Sequence, residues 1–324
     1  KRVLSKGKIF LIKFFLTGEK KMTQLINPRQ FTNITGLLRS FFLAKGFLEV
    51  HTQNRLSILA ACEDPTTVST YNYSGQVWPL PQTGQMWLEY ELLTRPELKG
   101  CYCLSTSYRQ EPNPISGRHQ LIFPMFEFEA PGNFDDLLVL EKELLEHLGF
   151  NYRKDDYLYG HDNEYHTAHY MGMVEKYHAE DAELTAEHEL KIYDDFGDVF
   201  FLTHFPEHTS PFWNMKMEKM EYKAGSMVST KYQQRVALKC DVIIGGMETI
   251  GSAERSSDVQ EMKHQFNTIS DGNYRELLYG LFSPARVDLE FFEFLTHNFV
   301  PRFGGGIGIQ RLIRGMKIAK LLTK

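Results

Sequence analysis

The sequence predicts an α+β fold in which helices pack around a sheet. Three observations support this prediction. Apolar runs typical of strands recur along the chain, amphipathic segments with helical spacing lie between them, and neither internal repeats nor a low-complexity linker separates the two kinds of element. The 324 residues, 42% of them hydrophobic, are enough for one large core or two modest ones. We therefore expect a single domain over residues 22–324.

Composition excludes several classes of protein. With 24% charged residues and a formal net charge of −5, the chain has the composition of an ordinary soluble globular protein and is not built for non-specific binding to nucleic acid. Its four cysteines form neither a disulfide framework nor a C-x-x-C pair, which favours a reducing, cytoplasmic location. No segment has the length and hydrophobicity of a transmembrane helix, so we expect no membrane partner.

The first 21 residues, KRVLSKGKIFLIKFFLTGEKK, differ from the rest. Basic residues precede a short apolar run, as in a signal peptide, but Lys13 interrupts the run and no small-residue cleavage site follows. The run is also too short to span a bilayer. We expect residues 1–21 to be an extension outside the fold.

The first half of the domain begins with a helix. RQFTNITGLLRSFFLAKGF has apolar residues at helical spacing, and Gly46 suits the position just past its C-terminus. FLEVHT is then predicted as a short strand, residues 57–85 as loop and hairpin, and MWLEYELLT as a further strand.

A hairpin with charged residues follows. SYRQEPNPISGRHQLIFPMFEFE has strand-like runs on both sides of the turn formers EPNPISG. Alternation along a strand places Arg109 and Glu111 on one face, and places Phe123, Glu127 and Glu129 on one face of the returning strand. Since unpaired buried charge is costly, either these charges pair with one another or a charged molecule binds there.

The second half of the domain again mixes helix and strand. NFDDLLVLEKELLEHLGF is an amphipathic helix that ends at Gly149, and VFFLTHFP and KCDVIIGGMETIG are apolar strands. Residues 151–200 form a variable, partly helical insertion with many acids and histidines. A zinc site there would need a spacing such as H-E-x-x-H, which is absent, so we expect these histidines to be solvated.

A glycine-rich strand, RFGGGIGIQRLIRGM, passes into a helix near the end of the chain. It has neither the G-x-x-x-x-G-K-[ST] of a phosphate-binding loop nor the βαβ context of a dinucleotide fold. Glycines in a strand let a ligand approach the backbone, and Arg311 at the helix start could lie over a flat ligand there. The alternative is tight packing of strand against helix, with a surface arginine.

Two acids, Asp241 and Glu248, lie seven residues apart, and Arg255 follows after another seven. Two carboxylates together with a bound polyphosphate commonly hold Mg²⁺, which keeps waters and shares oxygen ligands. The alternative is a pair of solvated acids at strand ends.

Three segments, in this order, resemble the signature motifs of the class II aminoacyl-tRNA synthetases. FFLAKGFLEVHT is similar to the first motif, with Gln53 where the family usually has proline. YRQE…GRHQLIFPMFEFE is similar to the second motif, and GGGIGIQRL is similar to the third. The resemblance covers residues 28–316 and implies an antiparallel β-sheet flanked by helices, and a homodimer.

METIGSAERSSD resembles the aspartyl, asparaginyl and lysyl subgroup, together with the ammonia-using asparagine synthetases that share its core. The lysyl type has an acid seven residues after the metal glutamate, whereas the other types have arginine. Arg255 stands at this position, which implies a substrate with a side-chain carboxylate or amide, namely aspartate or asparagine.

The resemblance also implies a mechanism. ATP binds on the sheet, and Asp241 and Glu248 hold Mg²⁺. The amino-acid carboxylate attacks the α-phosphate to give an aminoacyl-adenylate, and pyrophosphate leaves. Arg109 and Arg311 are the implied catalytic residues, because fixed positive charge at the phosphates stabilises the transition state. The implied ATP-binding residues are Arg109, Glu111, Arg118, His119, Phe123, Glu248 and Arg311. The implied substrate-binding residues are Glu97 and Glu127 for the α-ammonium and Arg255 for the side chain.

The acceptor stays open at this point. Aspartyl-type synthetases carry an anticodon-binding β-barrel before the core, and residues 1–27 are too few for one. We therefore expect no anticodon-binding domain, and weigh transfer to tRNA equally with ammonia-dependent asparagine synthesis. A further alternative is a non-catalytic regulatory paralogue that binds nucleotide or amino acid. The charged residues of the implied site are all present, which argues against that alternative. They are Arg109, Glu111, Arg118, His119, Asp241, Glu248, Arg255 and Arg311.

Overall fold

The computed structural model describes residues 25–52, 58, 67–151, 165–223 and 231–322. Two predictions, the extension over residues 1–21 and the unusual Gln53, fall outside these residues.

The described part of the chain alternates strands and helices. The strands are Leu48–Glu49 (β1), Thr70–Tyr73 (β2), Gln76–Pro79 (β3), Cys101–Tyr108 (β4), Ile122–Pro131 (β5), His166–His169 (β6), Val199–Pro206 (β7), Met217–Lys223 (β8), Lys231–Ile244 (β9), Glu248–Arg255 (β10) and Arg302–Gly308 (β11). The α-helices are Pro28–Ala44 (α1), Gln85–Thr94 (α2), Phe134–His147 (α3), Tyr170–Tyr177 (α4), Ala186–Phe196 (α5), Val259–Thr268 (α6), Asn273–Phe282 (α7), Pro284–Leu295 (α8) and Ile309–Ile318 (α9).

A nine-stranded sheet forms the centre of the fold. Its order is β1–β4–β5–β11–β10–β9–β7–β6, with β8 paired to β9, while β2 and β3 form a separate hairpin. Within the large sheet β1–β4 and β6–β7 are parallel and the other pairs are antiparallel. The α+β prediction, with a mainly antiparallel sheet flanked by helices, is confirmed.

Helices cover this sheet and divide its core into two main clusters. One cluster joins the sheet to α1, α3 and α9, with Phe42, Leu144 and Leu312 among its fully buried side chains. The other joins it to α6, α7 and α8 around Trp213. Burial of apolar surface in these clusters is the main stabilising term of the fold and makes the sheet a rigid platform.

Helix boundaries follow the local chemistry of the sequence. Asn27 and Asn133 cap α1 and α3 by accepting backbone N–H bonds, and Asp136 completes a capping box at α3. Gly46 and Gly149, the predicted terminators, have φ of +83° and +91°, which glycine adopts without steric cost.

The strand predicted for MWLEYELLT is wrong, because these residues form α2. The segment is apolar almost throughout, so periods of two and of 3.6 residues both fit it. In the structure Met86, Glu89 and Leu92 are buried at helical spacing and face the sheet. The helix packs against β4, β5 and β11 and pairs Glu89 with Arg302 of β11.

The predicted charged hairpin is confirmed, with β4 and β5 paired from Cys101↔Glu129 to Tyr108↔Ile122. Its strand β4 ends one residue before Arg109, so the prediction that Arg109 and Glu111 share a strand face is wrong. Both residues lie in the loop over 109–121, which the turn formers make longer than the alternation pattern implied.

The predicted insertion over 151–200 contains β6, α4 and α5 in its described part. No group of three or more His, Cys, Asp or Glu side chains that could hold a metal ion occurs among the residues described. Within the same residues, no helix is long and apolar enough to cross a membrane.

Candidate active site

A cavity of about 270 Å³ opens between the hairpin loop, β5, the start of β10 and the end of β11. Several of the residues predicted for the site line it, including both arginines predicted to be catalytic. The lining residues are Arg109, Glu111, Gly117, Arg118, His119, Gln120, Phe123, Met125, Met247, Glu248, Thr249, Gly306, Gly308, Gln310, Arg311 and Arg314. Three separate segments of the sequence therefore contribute to one concave surface, as binding sites usually require.

One wall of the cavity is an aromatic ring with a cation above it. The Arg109 guanidinium carbon lies 5.5 Å from the centroid of the Phe123 ring. The backbone N–H of Arg109 donates to the Leu121 carbonyl at 2.8 Å, which holds the loop base on the sheet. The floor is formed in part by Gly306 and Gly308 of β11, whose missing side chains leave room above the backbone; a Cβ added at Gly306 would lie 2.6 Å from Met125 Cε. This wall offers a π-face and a positive charge to a flat, anionic ligand.

The opposite wall is built around Glu248, at the start of β10. Arg311 Nη1 donates to the Glu248 carbonyl at 2.8 Å and to its carboxylate at 3.3 Å. Burial raises the pKa of Glu248, but the positive charges of Arg311, Lys239, Arg109 and Arg118 outweigh burial, so its pKa is lowered. Glu248 is therefore held as a carboxylate among cations.

Asp241 and Glu248 satisfy a first requirement for a divalent cation site. Both carboxylates converge over Gly251, where an added Cβ would lie 3.0 Å from Glu248 Oε1 and 3.6 Å from Asp241 Oδ1. Lys239 Nζ lies 3.5 Å from Asp241 Oδ1. Two carboxylates fit Mg²⁺, which takes few protein ligands and fills the remainder with waters and phosphate oxygens.

The hairpin loop is fixed to the insertion by an ion pair. Arg118 Nη2 donates to Glu189 Oε1, on α5, and Glu189 Oε2 accepts the backbone N–H of Glu248 at 2.8 Å. His119 lies beside Arg118, and its Nδ1 faces the Ile115 N–H at 3.4 Å. The loop therefore reaches the cavity with both of its predicted phosphate-binding side chains.

Farther along β5, Glu127 is buried among hydrogen-bond donors. The hydroxyls of Thr83 and Ser105 and the backbone N–H of Gly84 donate to its carboxylate, the last at 2.8 Å. The donors of Thr83 and Gly84 come from the loop that leads into α2. The acidic side chain predicted to bind an α-ammonium is thus next to the cavity and is fixed in one orientation.

Beyond Glu127 lies a buried network of two acids and two arginines. Arg255 donates to Glu129 Oε1 through Nε at 3.0 Å and through Nη2 at 2.6 Å. Arg302 donates to Glu89 Oε2 at 2.9 and 2.7 Å, and Arg255 Nε lies 4.0 Å from Glu89 Oε1. The four formal charges balance, which is the condition for burying them.

Glu129 is the titratable member of this network near neutral pH. Burial raises its pKa to about 7, Arg255 opposes this rise, and the charge of Glu89 adds to it. Its Oε2 atom is buried and accepts no hydrogen bond from the residues described by the structure. Glu129 Oε2 is therefore a buried acceptor beside Arg255, and neither residue lines the cavity.

The structure does not bring every predicted residue to the cavity, and Glu127, Asp241 and Arg255 lie behind its lining residues. Glu97 is exposed in the turn after α2 and does not line the cavity, so its role at the α-ammonium stays a prediction that this placement does not favour. Sequence reasoning missed the buried acid Glu89 because its segment was taken as a strand. It also missed Arg302, although a charged residue at the start of an otherwise apolar glycine strand was a signal.

Comparisons with known proteins point to one family. A family model described as tRNA synthetases class II (D, K and N) matches residues 13–321. Two curated relatives are the asparagine–tRNA ligases of Desulforamulus reducens and Pelotomaculum thermopropionicum. They are 24% and 25% identical to this chain over 275 and 274 residues, respectively. Each alignment covers 78% of this chain and 57% of the relative, so the chain spans less than two thirds of their length.

Solved structures show the same fold. The asparaginyl-tRNA synthetase from Pyrococcus horikoshii, complexed with asparaginyl-adenylate, superposes with a TM-score of 0.65 at 20% identity, covering 89% of this chain and 64% of that one. The asparaginyl-tRNA synthetase of Entamoeba histolytica gives 0.63 at 17% identity, covering 91% and 65%. Because the family model spans nearly the whole sequence, this chain belongs to the class II tRNA synthetases of the aspartyl, lysyl and asparaginyl group.

Proposed function

We propose that this chain is an ATP-dependent ligase that acts in two steps. It activates asparagine as an aminoacyl-adenylate with release of pyrophosphate, and then transfers the aminoacyl group to an acceptor with release of AMP. The observation that carries the proposal is the cavity in which Arg109, Arg118 and Arg311 converge beside Phe123 and a carboxylate pair. Adenylation requires cations around the polyphosphate and a surface, such as an aromatic ring, against which the base can stack.

Each lining residue has a role in this proposal. Phe123 stacks against one face of the adenine, and Arg311 lies on the opposite face of the adenine. Glu111 accepts a hydrogen bond from the adenine amino group. Arg118 and His119 bind the β- and γ-phosphates. Arg109 meets the α-phosphate, where negative charge grows as the amino-acid carboxylate attacks, so it stabilises the transition state more than the ground state.

No general base is needed, because the attacking carboxylate is already ionised at neutral pH. Asp241 and Glu248 would hold Mg²⁺, which neutralises charge on the phosphates when it is bound. The chain's own contribution is alignment. The rigid sheet holds the site, and the α-ammonium of the substrate binds near Glu127.

The buried network favours asparagine over aspartate. Glu89 and Glu129 already balance Arg255 and Arg302, so a substrate carboxylate would add an uncompensated negative charge. A neutral amide adds none. Its NH₂ group could donate to Glu129 Oε2, and its carbonyl could accept from Arg255. The names of the curated relatives support the same substrate.

The acceptor we propose is tRNA, on the strength of the names of these relatives. The test supplies labelled asparagine with ATP and tRNA, and in parallel labelled aspartate with ATP and ammonia. Acid-precipitable label in the first reaction supports the proposal. Formation of free asparagine in the second reaction, without labelled tRNA in the first reaction, would show that ammonia is the acceptor and that tRNA is not.

We also propose a cytoplasmic homodimer. Cys101, Cys103 and Cys240 are free and buried, which suits a reducing compartment. Leu43 and Leu48, beside the sheet edge formed by β1, are more than half exposed and could be covered by a second copy. Sedimentation equilibrium tests this, and a monomer at micromolar concentration would refute it.

A further inference from the structure

The insertion supplies a carboxylate to the edge of the proposed nucleotide site. Glu189, in the first turns of α5, accepts from Arg118 through Oε1 and from the backbone N–H of Glu248 through Oε2. The side chains of Arg118 and Glu189 are each 15% exposed. Arg118 and Glu248 line the cavity and Glu189 does not, so its carboxylate lies behind the guanidinium and not in the ligand space.

A second arginine lies in the field of this carboxylate. Arg314, one helical turn after Arg311, lines the same cavity and donates to the Gly245 carbonyl at 2.9 Å. Burial, and then the charge of Arg118, lower the pKa of Arg314, while Glu189 acts in the opposite direction. Two like charges that face one cavity repel each other, and an anion beside them offsets that repulsion.

We propose that Glu189 is a positioning residue of the nucleotide site. It ties Arg118, which lies in the hairpin loop, to the strand that begins at Glu248. Arg118 is thereby held ready to donate to the outer phosphates of a nucleoside triphosphate, and the negative charge of Glu189 offsets the repulsion between Arg118 and Arg314. This inference rests on the proposed function, and it makes α5 of the insertion a working part of the site.

The chemistry of guanidinium supports this assignment. Arginine has five N–H donors, and the bond from Nη2 to Glu189 leaves the remainder available to phosphate oxygens. Without Glu189, Arg118 would have to be ordered at the moment of binding, and that cost would reduce affinity for the ligand. Glu189 itself touches neither substrate nor reacting atoms in this scheme.

Equilibrium binding of Mg-ATP and of adenosine tests the proposal in the wild type, Glu189→Gln and Glu187→Gln. Glu187 is exposed on the same helix, so its variant removes the same charge without removing the contact. We expect Glu189→Gln to weaken Mg-ATP binding about tenfold, which corresponds to the loss of one charge-assisted hydrogen bond to the ligand. Adenosine, which has no phosphates, should bind unchanged, and Glu187→Gln should bind both ligands like the wild type.

Two further variants separate positioning from a structural effect. Glu189→Asp keeps the charge and should recover part of the Mg-ATP affinity. In an Arg118→Ala background, Glu189→Gln should cause no further loss, because the residue it positions is gone. The inference is overturned if Glu189→Gln binds Mg-ATP as tightly as the wild type or more tightly, or if it loses ATP and adenosine equally. A wild type that binds no Mg-ATP overturns the proposed function and this inference together.

Discussion

Arg255 and Glu129 form a buried, two-bond ion pair, with 2.6 Å between Nη2 and Oε1 and with both side chains almost fully excluded from solvent. The pair joins β10 to β5 across β11 and lies over Gly304, whose missing side chain makes room for Glu129. The arginine implied for substrate recognition is therefore already neutralised by a carboxylate of the same site. This relationship is the basis for proposing an amide substrate.

Substrate preference should depend on pH. The pKa of Glu129 is raised to about 7 from an ordinary value near 4.5, so the carboxylate gains its proton as the pH falls through 7. Loss of that negative charge leaves the network net positive and reduces its discrimination against aspartate. We expect the ratio of kcat/KM for asparagine to that for aspartate to fall about tenfold between pH 8 and pH 6.

The matched control for this pH profile is Glu129→Gln, which is neutral at every pH and can still accept from Arg255. In this variant the ratio of kcat/KM for asparagine to that for aspartate should be low and should not change across the same pH range. A wild-type ratio that does not change with pH would refute the assignment of Glu129.

The metal requirement should depend on the acids over Gly251. We expect Asp241→Asn and Glu248→Gln each to raise the Mg²⁺ concentration for half-maximal activity at least about tenfold. Glu175→Gln, an exposed acid on α4, is the control and should leave the Mg²⁺ titration unchanged. An unchanged titration in both site variants would show that these acids do not bind the metal.

The glycine strand should not tolerate even one methyl group at Gly304. A Cβ there would lie 2.1 Å from Glu129 Cδ and 2.3 Å from the Phe128 carbonyl oxygen. We expect Gly304→Ala to lower the free energy of unfolding by about 1–3 kcal/mol, measured by urea denaturation. Gly36→Ala, in α1 with no atom near the added Cβ, should raise it by about 0.5–1 kcal/mol. Equal effects at the two positions would contradict this packing.

A buried acid on the other side of the sheet should make stability depend on pH. Burial raises the pKa of Glu141, on α3, to about 8, and the neighbouring side chains of Ser252 and Cys240 oppose this rise. The folded state favours the protonated form of Glu141. The contribution of Glu141 to the free energy of unfolding is therefore complete below pH 4.5 and is lost as the pH rises toward 8.

The variant Glu141→Gln should therefore gain stability relative to the wild type between pH 5 and pH 8, by about 3 kcal/mol at the upper end. Thermal or urea unfolding across this range measures the difference. Glu146→Gln, exposed on the same helix, should run parallel to the wild type. A constant difference between Glu141→Gln and wild type at all pH values would refute the raised pKa.

Much of the fold could be predicted because its strongest patterns are local. The apolar period of α1, the turn formers of the charged hairpin and the glycine strand before α9 each specify one structure. The helix α2 could not be predicted in this way. Its almost uniformly apolar sequence fits two periods, and only packing of Met86 and Glu89 against the sheet decides between them.

The site was predicted in part for the same reason. Arg109, Arg118, Glu248 and Arg311 lie in recognisable motifs, and the structure places all of them on one cavity. Contacts between distant segments carry no local signal. The ion pair between Arg302 and Glu89 joins positions that are 213 residues apart in the sequence. Nothing in the local pattern of either segment indicates the other as its partner.

The most direct test of the account is exchange of labelled pyrophosphate into ATP with Mg²⁺, without tRNA, for each standard amino acid. We predict exchange with asparagine, slower exchange with aspartate and none with lysine. Replacing Arg109 by lysine should reduce the rate about 100-fold, because a directional donor at the α-phosphate is lost. Absence of exchange with every amino acid, in a folded protein that still binds ATP, would contradict adenylation and indicate a nucleotide-binding paralogue without catalysis.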